Sequence, residues 1–303
     1  MQIHRRTIPL LAVVLAVFGG APHNASAQGT GTVTLTHVHG LAYSADGGKI
    51  YIPSHHGLAI YSSGKWSKAP GPQHDYMGFS ATKDGFYSSG HPAPGSGLIN
   101  PFGVIRSTDA GKTWTKLGLE GETDFHVLAT SYGTNAIFVY NPAPNSRMKT
   151  AGIYYTLNNG FMWKRAQANG FSGEATGLAV HPSDPKVVAA AAKSGFYLST
   201  DSGDNFRAIT QGAQALAAFF DLDGEHLWLS SYAGAPALAR ANLKTGKKDP
   251  VTLPPLTRDA VSYIAQNPVN RNEYAIATFE RNVFITPDAG RTWRQIAREG
   301  KGL

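Results

Sequence analysis

Histidine and carboxylate side chains recur at fixed offsets in successive segments of the first half of the chain. When four segments are aligned on a shared Gly-Leu-Ala-like core, two rows of residues emerge. The first row consists of His37, Asp75, Asp124 and Glu174, and the second, two positions further on, of His39, Met77, His126 and Thr176. Residues two apart leave the same side of an extended strand, so both rows are expected to face one way.

Imidazole nitrogens and carboxylate oxygens that converge from several strands form a site suited to a transition metal. Neutral imidazole is the commonest protein ligand for such metals. We therefore predict that His37, His39 and His126 belong to one metal site. Zinc and copper are the candidates because the chain has no cysteine, and Met77 in the second row favours copper. Further side chains could complete the site as ligands or by orienting a ligand: His55, His56, His91, Asp75 and Asp124.

The same residues allow two other interpretations. They could form a solvated rim in which histidines pair with carboxylates, as polar groups of this kind often do. Alternatively, Asp75, Asp124 and Glu174 could supply the acid and the base of a glycoside hydrolase, a class that works with two carboxylates. The sequence leaves open whether the protein is an enzyme. The chain contains no Gly-x-Ser-x-Gly elbow, which disfavours a serine hydrolase. It also contains no glycine-rich phosphate loop before a helix, so no nucleotide cofactor is expected.

A turn motif recurs along the chain and sets the spacing of these rows. Its clearest copy, Ser-Thr-Asp-Ala-Gly-Lys-Thr-Trp, occupies residues 107–114, and further copies lie at 156–163, 199–206 and 286–293. Their third positions are Asp109, Asn158, Asp201 and Asp288, separated by 49, 43 and 87 residues. The last gap is close to two repeats, and a turn at 243–246 marks the repeat between. Residues 61–66 are a shortened copy ahead of the first.

The residue types of the motif are those of a tight turn, and the residues on both sides of it are predicted to form strands. Its carboxylate or amide accepts hydrogen bonds from backbone N–H groups of its own turn, and its glycine permits a positive φ. Helical periodicity is absent, which is typical of an all-β protein. A repeat of roughly 46 residues favours a β-propeller, here with six blades of four antiparallel strands. The expected inner strands start near residues 37, 75, 124, 174, 214 and 260. The alternative is a seven-bladed ring, to which residues 28–35 would add a strand.

These turns resemble the Asp-boxes of the BNR-repeat propellers. That superfamily includes bacterial sialidases, xyloglucanases, sortilin-type receptors and a photosystem II assembly factor. The resemblance covers nearly the whole chain after residue 27 and implies a ligand site on the axial face, where inner strands start and second strands connect to third strands. It does not fix the function, because the superfamily contains both enzymes and binding proteins. Sialidase activity is disfavoured, because the chain lacks an Arg-Ile-Pro-like motif and several of its few arginines lie in or beside the boxes, namely Arg106, Arg207, Arg291 and Arg294.

The first 27 residues are predicted to be a signal peptide. Arg5 and Arg6 precede an apolar stretch, and the small residues at 25–27 indicate cleavage between Ala27 and Gln28. Residues 28–303 would then be a single periplasmic or secreted propeller domain without a membrane span. The formal net charge is +7, but the basic residues do not form a cluster interleaved with aromatic residues. A nucleic-acid partner is therefore disfavoured. A small ligand, a glycan or a protein is expected at the axial face.

Overall fold

A computed structural model describes residues 33–303 and shows a six-bladed β-propeller. Each blade is an antiparallel sheet whose strands pair in chain order from the axis outward. The prediction of an all-β chain with six blades is confirmed. The predicted signal peptide and its cleavage site lie outside the described residues. Within those residues, no helix is long and apolar enough to cross a membrane.

The first three blades differ mainly in the length of their strands. Blade one consists of β1 (Ala42–Tyr43), β2 (Ile50–Ser54), β3 (Gly57–Ser62) and β4 (Lys65–Lys68). Blade two consists of β5 (Asp75–Thr82), β6 (Gly85–His91), β7 (Val104–Ser107) and β8 (Thr115–Gly118). Blade three consists of β9 (Leu128–Thr130), β10 (Ile137–Asn141), β11 (Gly152–Thr156) and β12 (Lys164–Arg165).

The last three blades follow the same plan, and the sixth has one additional short strand. Blade four consists of β13 (Gly177–Val180), β14 (Val188–Ala192), β15 (Gly195–Ser199) and β16 (Arg207–Ala208). Blade five consists of β17 (Gln214–Phe220), β18 (His226–Tyr232), β19 (Pro236–Asn242) and β20 (Lys248–Pro250). Blade six consists of β21 (Val261–Gln266), β22 (Tyr274–Thr278), β23 (Val283–Thr286), β24 (Arg294–Arg298) and β25 (Lys301–Gly302).

Two inner strands begin later than their sequence pattern predicts. The strands β1 and β9 start at residues 42 and 128, rather than near residues 37 and 124. The preceding segments have irregular backbone, although the amide of His39 still donates to the carbonyl oxygen of Pro53 at 3.2 Å. The residues of both predicted rows in blades one and three therefore lie on the approach to the strand. Their side-chain directions are set by contacts with neighbouring blades, because strand alternation does not apply there.

The two ends of the described chain meet in blade six and close the ring. Thr34 forms an antiparallel bridge with Lys301, and the amide of Leu35 donates to the carbonyl oxygen of Gly300 at 2.7 Å. Leu35 is 1% exposed and packs in the same apolar cluster as Ile296. The N-terminal segment thus extends the sixth blade, and the alternative of a seventh blade is wrong.

The apolar core is divided into six clusters, one at each interface between consecutive blades. Between blades five and six, the rings of Trp228 and Tyr274 lie 4.5 Å apart. Both donate to the buried carboxylate of Asp221, through indole Nε1 at 2.7 Å and phenol oxygen at 2.9 Å. The guanidinium of Arg240 also contacts that carboxylate. The buried charge is therefore paired and fully hydrogen-bonded, as its position between two blades requires.

The Asp-boxes form the predicted turns between the third and fourth strands. In the first box, Asp109 Oδ1 accepts from the amide of Thr113 at 2.9 Å, and Oδ2 accepts from the hydroxyl of Thr113 at 2.6 Å. The hydroxyl of Ser107 accepts from the amide of Gly111 at 2.8 Å. The φ angles of Ala110 and Gly111 are +64° and +83°, so two consecutive residues adopt the left-handed conformation. The other three boxes repeat the two bonds that backbone amides donate to these side chains.

Each box also contacts the preceding blade. A Cβ atom at Gly111 would lie 2.5 Å from Cδ1 of Leu58 in blade one, so no side chain fits there. The indole Nε1 of Trp293 donates to the carbonyl oxygen of Thr252 in blade five at 2.7 Å. The boxes therefore fix the spacing between blades as well as their own hairpins, and Asp109 and Asp288 do not line the axial cavity.

We expect Asp109→Ala to lower the free energy of unfolding by about 1–2 kcal/mol, because it removes the acceptor for three hydrogen bonds of the turn, from the hydroxyl of Ser107 and from the amide and hydroxyl of Thr113. Urea unfolding followed by tryptophan fluorescence measures the change. Thr108→Ala, at the exposed neighbouring position of the same box, is the control and should leave the stability unchanged. Equal stability of the two variants would contradict the assigned role.

The boxes should also make stability depend on pH. Hydrogen bonds from Thr113 and Thr292 lower the pKa of Asp109 and of Asp288 to about 2, from 3.8. Because the folded-state pKa is depressed, this stabilisation is complete above pH 4 and is lost as the pH falls towards 2. The melting temperature of wild type should exceed that of Asp109→Asn by a constant amount between pH 5 and 7, and the gap should close near pH 2. A gap that persists at pH 2 would contradict the prediction.

Candidate metal centre at the axial face

The inner strands of the six blades enclose an axial cavity of about 610 Å³. Three of these strands contain β-bulges near their first residues, the end at which the cavity opens on the axial face. The register shifts lie between Met77 and Ser80 in β5, around Leu216 in β17, and around Ser262 in β21. Bulges re-aim side chains and are enriched beside functional sites. The axial mouth is thus the irregular end of an otherwise regular ring.

Three imidazoles meet at this mouth. His37 and His39 lie on the approach to β1, and His55 lies in the two-residue turn between β2 and β3. One potential ligand atom from each lies within 4.8 Å of those from the other two. The ring centroids are 4.4 Å apart for His37 and His55, 4.9 Å for His39 and His55, and 5.6 Å for His37 and His39. We refer to these three residues as the imidazole cluster.

Asp75, the first residue of β5, connects the imidazole cluster to blade two. Its Oδ2 lies 2.7 Å from Nδ1 of His55, a hydrogen-bond distance. Its Oδ1 lies 3.7 Å from Nε2 of His39, and both of these atoms are buried without a hydrogen-bond partner. Two buried polar atoms that face each other slightly beyond hydrogen-bond distance are costly unless a third group lies between them. The contact between the imidazole cluster and Asp75 thus contains an unsatisfied polar pair.

Burial is the main cause that lowers the pKa of His39 to about 4; the carboxylate of Asp75 opposes the shift, and the neighbouring imidazoles of His55, His37 and His126 add to it. The ring is therefore neutral at physiological pH. A neutral imidazole has a free lone pair, which a metal requires. In the tautomer that carries the proton on Nδ1, Nε2 of this ring, directed towards Asp75, is available for coordination.

A second group lies between blades two and three, around Asp124. His91 Nε2 lies 3.1 Å from Asp124 Oδ2, and its Nδ1 lies 2.7 Å from Oδ1 of Asn100. His126 Nδ1 lies 3.4 Å from the same Asp124 oxygen, and its side chain is 62% exposed. His126 thus belongs to this group rather than to the imidazole cluster, although it is close enough to affect the pKa of His39. Both ring nitrogens of His91 contact protein groups.

The remaining predicted site residues belong neither to the imidazole cluster nor to the group around Asp124. His56 and Glu174 are exposed, and Met77 is buried in β5 and does not line the cavity. Asp75 and Asp124 each lie between two histidines, so neither faces a second carboxylate as its nearest partner. Among the arginines of the described chain, Arg281 alone lines the cavity.

The central position of His55 was underestimated from the sequence. The aligned rows favour His126 over His55 as a ligand, because His126 occupies the blade-three equivalent of His39. The signal that could have identified His55 is the two-residue turn at 55–56. So short a connection places the turn directly beside the inner strand of its own blade.

Comparisons with known proteins support the fold. No family model and no curated sequence matches the chain. Among solved structures, the Niastella koreensis GH74 enzyme is similar, with a TM-score of 0.59, 18% identity, and coverage of 88% of this chain and 46% of that chain. YCF48 bound to D1 peptide gives a TM-score of 0.51, 16% identity, and coverage of 88% and 84%. Kuenenia stuttgartiensis hydrazine synthase gives 0.54, 12% identity, and coverage of 88% and 80%.

The similarity between this chain and these structures is a similarity of fold. Identities of 12–18% show that the chain shares the propeller fold of these proteins. The chain spans less than half of the GH74 enzyme, with 46% of that chain covered. The three similar proteins differ in what they do, so function has to be argued from the axial face itself.

Proposed function

We propose that the protein binds one transition metal ion, zinc or copper, through His37, His39 and His55. The observation that carries the proposal is the convergence of three imidazoles within 4.8 Å of one another at the mouth of the axial cavity. Metal–nitrogen bonds of about 2.0–2.1 Å place the ligand atoms of a tetrahedral site about 3.3 Å apart. The observed spacing needs only small side-chain rotations to reach that value.

Asp75 would orient the cluster from blade two. Its bond to Nδ1 of His55 leaves Nε2 of that ring for the metal, the arrangement in which a carboxylate fixes a metal-binding histidine. Its second oxygen faces Nε2 of His39 and could enter the coordination shell. His126, which is exposed on the same face, would be a further ligand after a side-chain rotation.

The donor set suits zinc and copper(II), because both accept imidazole nitrogen together with carboxylate oxygen. A thioether contribution from Met77 is not part of this proposal, since that side chain is buried away from the cavity. Three protein nitrogens would leave at least one coordination position for a ligand that enters from the cavity. The protein would then act as an exported metal-dependent binding protein.

A protein partner is the second candidate function. YCF48, which shares the fold, has been solved bound to D1 peptide. The connections of this axial face expose large apolar side chains, namely Leu98, Ile99, Tyr232 and Phe279. Such residues are enriched where proteins meet peptides. Glycoside hydrolysis through Asp75, Asp124 and Glu174 stays a prediction from the sequence, as do export and cleavage after Ala27.

Metal binding is tested on protein exported natively and purified without chelator or affinity metal. Elemental analysis should find about one zinc or copper per chain, and calorimetric titration of the stripped protein should restore it. His39→Asn and His55→Asn should weaken binding by more than 100-fold, since each removes a ligand, and Asp75→Asn by about 10–100-fold.

His56→Asn is the matched control, because His56 is adjacent to His55 but exposed and outside the cluster. It should bind metal as tightly as wild type. Protein that binds neither zinc nor copper would leave the solvated polar rim as the correct interpretation. An equal loss in His56→Asn and His55→Asn would show that binding occurs elsewhere on the exposed surface.

A further inference from the structure

Arg281, a cation in the cavity wall, lacks a carboxylate partner. It lies in the connection between β22 and β23, and its Nη1 donates to the carbonyl oxygen of Thr36 at 3.2 Å. Within residues 33–303, no carboxylate forms an ion pair with its guanidinium. Its Nε and the hydroxyl oxygen of Thr36 are both buried without a hydrogen-bond partner. A cation with unused hydrogen-bonding capacity favours an anionic ligand.

The connection that carries Arg281 is held in place by several bonds. The carboxylate of Asp259 accepts from the amide of Glu280 at 3.0 Å and from the side-chain amide of Asn282 at 2.9 Å. The amide of Arg281 donates to the carbonyl oxygen of Thr278 at 3.0 Å. Arg281 itself has a φ of +61°, a conformation that costs free energy for any residue with a side chain. The surrounding bonds therefore impose this conformation and fix where the arginine enters the wall.

Below the mouth, half-buried apolar side chains line the cavity. They come from blades three, five and six: Val127, Leu216, Phe219 and Tyr263. Leu216 is the bulged residue of β17, so it lies outside the strand pairing. The cavity volume of about 610 Å³ falls within the usual range for small-molecule sites. One end of this cavity thus offers a cation and its interior offers apolar surface.

We infer that the axial cavity binds an organic carboxylate, whose anionic group contacts Arg281 and whose apolar body lies against Leu216 and Tyr263. A planar guanidinium matches the planar carboxylate, and removal of apolar surface from water adds to the affinity. This ligand goes beyond the metal ion proposed above. Its contacts involve no residue of the imidazole cluster, so it binds with or without metal.

The experiment titrates three probes into chelator-treated and zinc-loaded protein by calorimetry. 4-Phenylbutyrate has both the charge and the apolar body, 4-phenylbutanol lacks the charge, and acetate lacks the body. We expect 4-phenylbutyrate to bind both protein forms and to bind more tightly than either other probe. Arg281→Gln should weaken its binding about tenfold or more, the usual cost of losing a hydrogen bond to a charged group. Arg291→Gln, in an exposed box of the same blade, should have no effect.

Leu216→Ser is the second variant. It should weaken the binding of 4-phenylbutyrate and leave the binding of acetate unchanged. It decides the outcome if circular dichroism shows that Arg281→Gln does not fold. No binding of 4-phenylbutyrate to wild type at millimolar concentration would overturn the inference, and so would equal binding of 4-phenylbutanol. Binding only to zinc-loaded protein, unaffected by Arg281→Gln, would place the carboxylate on the metal and overturn it as well. Failure of zinc to bind would leave the arginine site untouched.

Discussion

Closure of the ring is the constraint on which the rest of the structure depends. Every blade buries apolar side chains against both neighbours, so removal of one interface would expose two sheet faces to water. At the last interface, between blades six and one, the segment around Leu35 pairs beside Gly300 and packs in the shared apolar cluster. The contact between His39 and Asp75 crosses from blade one to blade two. The geometry of the candidate site therefore depends on the packing of blade one against blade two.

The two ends of the propeller have different roles: one contains the turns that stabilise the blades, and the other contains the candidate functional side chains. The Asp-boxes occupy the end opposite the axial face, where regular turns such as 107–114 lock each hairpin against the preceding blade. With spacing fixed there, the connections of the axial face are free to vary. One of them, at 55–56, has two residues, whereas the connection between β6 and β7 covers 92–103. Functional side chains concentrate on such variable connections because a rigid scaffold positions them.

The fold could be predicted from the sequence because the box turns are local. The bonds between Asp109 and Thr113 join residues only four positions apart. The spacing of the boxes along the chain then indicates the number of blades. The site could be predicted only in part, because its members come from different blades. The sequence indicated histidine and aspartate on one face, but the approach to β1 is irregular, and strand alternation could not orient His37 and His39. The association of His91 and His126 with Asp124 depends on the interface between blades two and three, which no local pattern encodes.

Charge is the strongest physical argument for a cation in the imidazole cluster. The side chain of Asp75 is 19% exposed, and in the part of the chain that the structure describes no lysine or arginine forms an ion pair with it. Burial keeps the nearby ring of His39 neutral at physiological pH. Asp75 Oδ2 lies at hydrogen-bond distance from Nδ1 of His55, but the half-buried carboxylate has no partner at Oδ1, beside the neutral ring, and an unpaired polar atom of this kind is costly. A divalent metal would neutralise that charge and would provide the missing partner for both unpaired atoms, Oδ1 of Asp75 and Nε2 of His39. In the solvated-rim interpretation, only water could pair these two atoms, because neither has a partner among the protein groups.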